Sequence, residues 1–292
     1  MFYLQQIING IAQGSIYALT AVGYAIILGI VNVPSFVHGD VMMVGAFVGY
    51  YSVLLFPDNI LLVFIIVFAA NWFLGIIVDM VCYKRFRNSP RQVMLICTVG
   101  LSIFLKSSTQ VTFGTQQKLI PNLLGNNFFA LGEIIRITYV QIFIVSVVIF
   151  TVFLLQILLF RTKIGLSVRA VSMHKSASAL VGINVNQAME FGTCLGCALG
   201  GIAGILLGIY YNAVHPLMGG NAAMKAFISV IFGGINIPGA ALGGLLLGIF
   251  ENMGVAFFGS GYRDIVGYVI LIVVLLIKPS GLLGRKENEI KI

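Results

Sequence analysis

The sequence predicts an all-α polytopic membrane protein with eight or more transmembrane helices and broken or re-entrant half-helices, and three observations predict it. Of 292 residues, 59% are hydrophobic and 9% are charged, whereas an ordinary soluble domain has about 25% charged. Nine apolar runs follow one another, most of them long enough to cross about 30 Å of hydrocarbon. The formal net charge of +8 is gathered in three basic clusters at the ends of those runs, which is the distribution of orientation signals in a lipid-embedded chain and not of a nucleic-acid surface. Membrane lipid is the expected surround, with no nucleic acid partner.

The elements follow in order. The run 7–31 is expected to be a retained first span, because Met1 to Gln6 has no basic segment and the run exceeds the roughly 7 to 15 residues of a signal-peptide core. It breaks at Val31-Asn32-Val33-Pro34, since proline removes a backbone donor and disfavours helix in the residue before it. Asp40 directly precedes the next run, 40–56, and reads as its N-cap. His38, two residues earlier, cannot share a helical face with it. Runs 60–83 and 93–113 are separated by Lys84, Arg85, Arg87 and Arg91, and Asp79 lies about a turn from Tyr83-Lys84-Arg85, with which it is expected to pair. The segment 114–136, containing Lys118, Pro121, Glu133 and Arg136, is a long external loop before the run 138–160. The polar loop 161–187 carries Arg161, Lys163, Arg169 and Lys175 with no acid. Runs 189–211, 223–236, 239–258 and 262–278 complete the set, the run 223–236 being too short for an ordinary span, before Lys278, Arg285, Lys286 and Lys291.

The positive-inside rule places the three basic clusters in the cytoplasm. The N-terminus is then outside, the C-terminus is cytoplasmic, and the number of crossings is odd. Region 223–258 must cross twice, or once with a re-entrant half-helix elsewhere. Residues 1–292 read as one transmembrane domain.

Several features point toward function. In the 161–187 loop, a short helix from about Lys175 to Val181 is expected to stop at Gly182, a shape suited to a partner's groove; Arg169, Lys175, Ser176, Ala177, Ser178 and Gly182 are its candidate contact residues. The break at Asn32-Val33-Pro34 is matched by Asn236-Ile237-Pro238, and broken helices at matching positions point to a solute path. Asn32, Pro34, His38, Asp40, Asn236, Pro238 and Glu251 are the candidates for that path. Lys106 and Glu251 are the deepest ionisable residues by position and form a possible pair. The path is otherwise expected to be small and apolar, without a tight binding site. Gly192, Gly196, Gly200, Gly204 and Gly208, and more briefly Ala240, Gly244 and Gly248, recur every fourth residue, as in closely packed membrane helices. Cys194-Leu195-Gly196-Cys197 has no second ligand pair and reads as small buried residues. The chain contains no phosphate-binding loop, nucleophile elbow or zinc-protease motif. No catalytic, metal or cofactor residue is therefore expected here, and any ATPase must be another chain.

The stretches Asn9-Gly10-Ile11-Ala12-Gln13-Gly14-Ser15-Ile16-Tyr17-Ala18-Leu19, Phe36-Val37-His38-Gly39-Asp40, Ala177-Ser178-Ala179-Leu180-Val181-Gly182-Ile183-Asn184 and Phe232-Gly233-Gly234-Ile235-Asn236-Ile237-Pro238-Gly239-Ala240 resemble the permeases of branched-chain amino acid ABC importers, of the LivH type. Tyr262-Arg263-Asp264 and the stretch from Lys278 to Gly284 fit the same pattern. The resemblance implies a type II-like ABC importer bundle in a bacterial inner membrane. It also implies pairing with a LivM-type permease subunit, two cytoplasmic ATPase subunits holding ATP and Mg, and an extracytoplasmic solute-binding protein. The chain departs from the family's Glu-Ala-Ala-x-x-x-Gly coupling pattern, having Ser176-Ala177-Ser178, so no acidic residue is present there to pair with a base on the ATPase. Related permeases for urea or short-chain amides, and an ATP-independent secondary transporter, are the alternatives.

Overall fold

The computed structural model describes residues 2–87, 89–121, 125, 128–131, 135–278 and 280–284. Glu133, Arg285, Lys286, Lys291 and Pro279 lie outside the described residues. Eleven α-helices appear among those described: α1 Phe2–Val31, α2 Val37–Leu55, α3 Ile60–Val78, α4 Arg91–Phe113, α5 Tyr139–Arg161, α6 Lys163–Met173, α7 Lys175–Leu180, α8 Val185–Tyr211, α9 Met218–Gly233, α10 Ile237–Phe258 and α11 Arg263–Ile277. Eight are long and apolar enough to cross a membrane, the exceptions being α6, α7 and α9. A helix satisfies its own backbone donors and acceptors, which hydrocarbon cannot do, so apolar runs of this length have no other open form that spans a bilayer. Among the described residues, strand structure is confined to a β1 Lys118–Leu119 pairing with β4 Ala213–Val214 and to a hairpin of β2 Phe128–Leu131 with β3 Ile135–Thr138.

Two long helices, α1 and α8, form the axis of the bundle and are buried over most of their length. The glycine stripe of α8 explains their approach. A Cβ on Gly196 would lie 2.7 Å from the Gly23 carbonyl of α1, and one on Gly204 would run into the Met42 carbonyl of α2. The second stripe does the same for α10 against α1, where a Cβ on Gly10 would lie 2.8 Å from the Ile249 Cα. Both stripes are thus spent on packing within this chain. Helices α3, α4, α5 and α11 leave most of their apolar side chains outward-facing, as helices bordering lipid do.

The fold contains two units of the same order. In each, a long helix ends in a left-handed asparagine, Asn32 at φ 60° and Asn212 at φ 52°. An extended break then leads into a helix that starts inside the bundle. The break 32–36 runs back alongside α1, where the Ser35 amide donates to the Tyr24 hydroxyl at 3.2 Å. The break 212–217 runs back along α8 through β4. The first turns of α2 and α9 then meet, Gly39 against Gly219. Packing follows the same scheme, with α1 against α9 and α10 and α8 against α2 and α3. The partner of the 32–36 break is therefore 212–217 and not Asn236-Ile237-Pro238, which turns the chain from α9 into α10.

Both α8 and α10 run antiparallel to α1, so the chain must return between them. At 16 residues, α9 is only about 24 Å long, and it follows the extended 212–217 lead. Tyr3 stacks near Phe257 at one end of the bundle, while 281–284 packs against Gly234 at the other.

Two local expectations change. Helix α2 begins at Val37, so Asp40 lies in its first turn and does not cap it. Asp79 pairs with Arg87 at 3.7 Å instead of with Lys84 or Arg85, because a π-helical turn over Asp79–Lys84 rotates the intervening residues out of α-helical register.

Candidate functional site

The polar segment between α5 and α8 is folded into helices. The Thr162 side chain caps α6 by accepting from the Gly165 amide at 3.1 Å. Helix α7 ends in a Schellman motif. The Ile183 amide donates to the Ser178 carbonyl and the Gly182 amide to the Ala179 carbonyl, both at 3.1 Å, with Gly182 at φ +83°. This tight ending leaves Leu180 89% and Val181 77% exposed. Ser176 and Ala177 are exposed as well, whereas Ser178 is buried and donates to the His174 carbonyl at 2.8 Å. Lys175 points inward, its Nζ 3.4 Å from the Val31 carbonyl at the end of α1. Burial, with help from Arg87 and Arg91, lowers its pKa. Arg169 stacks on Phe160 with 4.4 Å between guanidinium carbon and ring centre. The result is a short apolar knob anchored on the bundle.

The first break is sealed. Asn32 is exposed, Pro34 half-buried and His38 fully buried. The His38 Nε2 lies 3.2 Å from the Thr20 carbonyl, and its ring occupies space that Gly200 leaves open. Asp40 is 2% exposed. Ser102 of α4 donates to one of its carboxylate oxygens, Lys106 supplies a nearby positive charge, and the other oxygen has no hydrogen-bond partner.

A cavity of about 440 Å³, lined by charged and apolar side chains, is bounded by α1, α2, α8, α9 and α11. Lys225 of α9 reaches into its wall and is bonded to Glu251 of α10 and, at 2.8 Å, to Asp264 of α11. A pairing of Lys106 with Glu251 does not form, because Lys225 takes the carboxylate. The Tyr17 hydroxyl donates to Glu251 at 3.1 Å. Gln13 donates to the hydroxyls of Tyr17 at 2.5 Å and Tyr211 at 3.1 Å, and Asn252 donates to Gln13 at 2.8 Å. Arg263 donates to Tyr211 at 3.1 Å. Five helices thus meet in one hydrogen-bonded network in the interior. Buried charges in hydrocarbon survive by such pairing or by facing a wet cavity, and this site uses both.

Asn236 and Pro238 take a different part. The Asn236 side chain caps α10, accepting from Gly239 at 2.6 Å, and its amide donates to the Leu283 carbonyl at 2.9 Å. Pro238 opens the same helix at the exposed surface. Neither lines the cavity. Lys225, two residues into the run 223–236, is not among the residues singled out from the sequence. It is an ionisable residue in an apolar run, which by itself marks a candidate site. Arg263 and Asp264 were visible only as part of a terminal motif.

Residues 6–275 match the family described as branched-chain amino acid transport system, permease component. The high-affinity branched-chain amino acid transport system permease protein BraD of Pseudomonas aeruginosa is 38% identical over 98% of this chain and 97% of its own. The corresponding LivH proteins of Salmonella typhimurium and Escherichia coli K12 are each 34% identical over 99% of this chain and 98% of their own. No solved structure matches. A full-length match to both the family and its named members, on an all-α bundle with eight spans, leads to one placement: the chain belongs to the branched-chain amino acid transport permease family, as a multi-pass membrane subunit.

Proposed function

We propose that this chain is a membrane-spanning subunit of an ATP-driven importer that passes leucine, isoleucine and valine, delivered by an external binding protein, into the cytoplasm. The observation that carries the reading is the anchored knob formed by α7 and Gly182 in a chain without a phosphate-binding loop. A subunit that cannot hydrolyse ATP needs a rigid element through which a partner's stroke reaches the bundle, and Leu180 and Val181 are presented for a groove. The substrate follows from the branched-chain amino acid transport in the relatives' names. A LivM-type second permease and two cytoplasmic ATPase subunits holding ATP and Mg complete the membrane assembly. The basic end faces the cytoplasm, so the N-terminus is external.

In this reading Arg169, Lys175 and Ser178 hold the knob in place while Ser176, Ala177 and the tight turn at Gly182 shape its contact face. The missing acidic residue of the family pattern moves recognition from an ion pair toward apolar fit. Glu251 serves the solute path through Lys225, and Asn236 and Pro238 set the start of α10. The test is uptake of labelled leucine, against urea, by the whole complex in proteoliposomes. Leucine uptake should require ATP and the binding protein. Gly182→Val, which forces a branched side chain into a left-handed conformation, should leave the protein in the membrane and reduce uptake by an order of magnitude or more. Wild-type uptake by that variant would refute the coupling role, and urea uptake without leucine uptake would refute the substrate.

A further inference from the structure

The cavity is lined by both charged and apolar side chains. Arg263 is its least satisfied group. A guanidinium carries five N–H donors, yet a single one is used, on Tyr211, and its Nε is buried without a hydrogen-bond partner. Among the described residues no carboxylate lies within ion-pair distance of it. An unpaired guanidinium beside a cavity wants a planar anion, and the carboxylate is the one it matches two-point. Next to it, the Asp264 side chain is 56% exposed and uses one oxygen on Lys225, leaving acceptor capacity for an ammonium. Lys225 is in turn neutralised by Glu251 behind it. The four charges cancel, so a zwitterion enters without net charge transfer, whereas a lone anion or cation would not. Met42, Leu207 and Met218 supply apolar lining to the same cavity. The volume of about 440 Å³ lies within the range of small-ligand pockets, roughly 300 to 1,000 Å³.

We infer that this cavity is an α-amino-acid site within the chain, with Arg263 receiving the carboxylate, Asp264 the ammonium, and the wall of Met42, Leu207 and Met218 the branched side chain. The inference rests on the amino-acid substrate proposed above and goes beyond it in assigning recognition to this subunit. It keeps the expectation of a path without a tight binding site. Asp264 already holds Lys225, so the incoming ammonium competes for it and affinity is weak, on the order of millimolar. Weak binding suits a transit site, because tight binding would lengthen residence.

The test uses the assembled permease–ATPase complex in nanodiscs without the binding protein, with labelled leucine as probe. Unlabelled leucine should compete, while leucinamide, which lacks the carboxylate, and 4-methylpentanoate, which lacks the ammonium, should each be weaker by an order of magnitude or more. Arg263→Gln should lose binding to a similar extent and Arg263→Lys should restore part of it. Absence of leucine binding at tens of millimolar, equal competition by both analogues, or unchanged binding by an intact Arg263→Gln complex would each overturn the inference. If Arg263→Gln does not assemble, the analogue series on the unaltered complex decides. Leucine uptake by the complete importer alongside a flat analogue series would refute the cavity site alone. Failure of leucine uptake itself would refute the proposed substrate.

Discussion

The break before α2 and the break before α9 are built alike and loaded differently. Each follows a long buried helix ended by a left-handed asparagine, and each starts a helix in the interior. The first is filled: His38 lies in the space left by Gly200, and Asp40 is closed over by Ser102. The second is left open, with Lys225, Arg263 and Asp264 around a cavity. The shared architecture therefore comes from backbone and small residues, while the site comes from Lys225 on one copy together with Arg263 and Asp264 of α11. Glycines that let helices touch do not distinguish the units; a cavity beside the charged groups does.

The strongest way to break the comparison is to remove charge from each unit. Lys225→Met leaves Glu251 buried without its cation and should cost about 3–5 kcal/mol, read as a large drop in thermal stability of the purified complex. Adding Glu251→Gln to it should recover most of that loss. Asp40→Asn keeps an acceptor for Ser102 and should cost only about 1 kcal/mol. Equal losses at Lys225 and Asp40 would mean that the two units carry the same electrostatic load.

Packing should respond alike in the two units. Gly204→Ala drives a Cβ into α2 backbone, and Gly248→Ala drives one into the Gly14 backbone of α1. Each should cost about 1–3 kcal/mol, measured as the midpoint of thermal aggregation. Gly100→Ala, with nothing within 4 Å of the added carbon, should show no loss. A harmless Gly204→Ala would show that α8 and α2 can separate freely.

The smallest expected effect lies at the two helix ends. Asn32→Ala and Asn212→Ala should each cost about 1 kcal/mol, the approximate price of a left-handed conformation for an ordinary L-residue, and the glycine substitutions should be close to neutral. A loss at one site and not the other would sharpen the comparison, by showing that only one of the breaks needs that turn.

Much of the fold was legible because hydrocarbon leaves few options. Apolar runs had to become helices, a proline after Asn32 had to interrupt one, and Gly182 had to end α7, since these are local consequences of backbone chemistry. The π-helical turn at Asp79–Lys84 was not legible, as no residue type in Asp-Met-Val-Cys-Tyr-Lys demands it. The likeness of Val31-Asn32-Val33-Pro34 to Ile235-Asn236-Ile237-Pro238 misled because four residues record a local turn, whereas the repeat seen in the fold is an order of elements with little shared sequence.

The amino-acid sequence by itself determined the solvent, the helical spans, the knob at α7 and the family, because each depends on composition or on contiguous residues. Only the tertiary structure decided that Lys225 and not Lys106 meets Glu251, that α9 returns the chain between the parallel helices α8 and α10, and that Arg263 stands beside a cavity. Those outcomes depend on which faces of α1, α8, α9, α10 and α11 come together. Burial makes every charge seek a partner, but spacing along the chain does not say which partner is within reach.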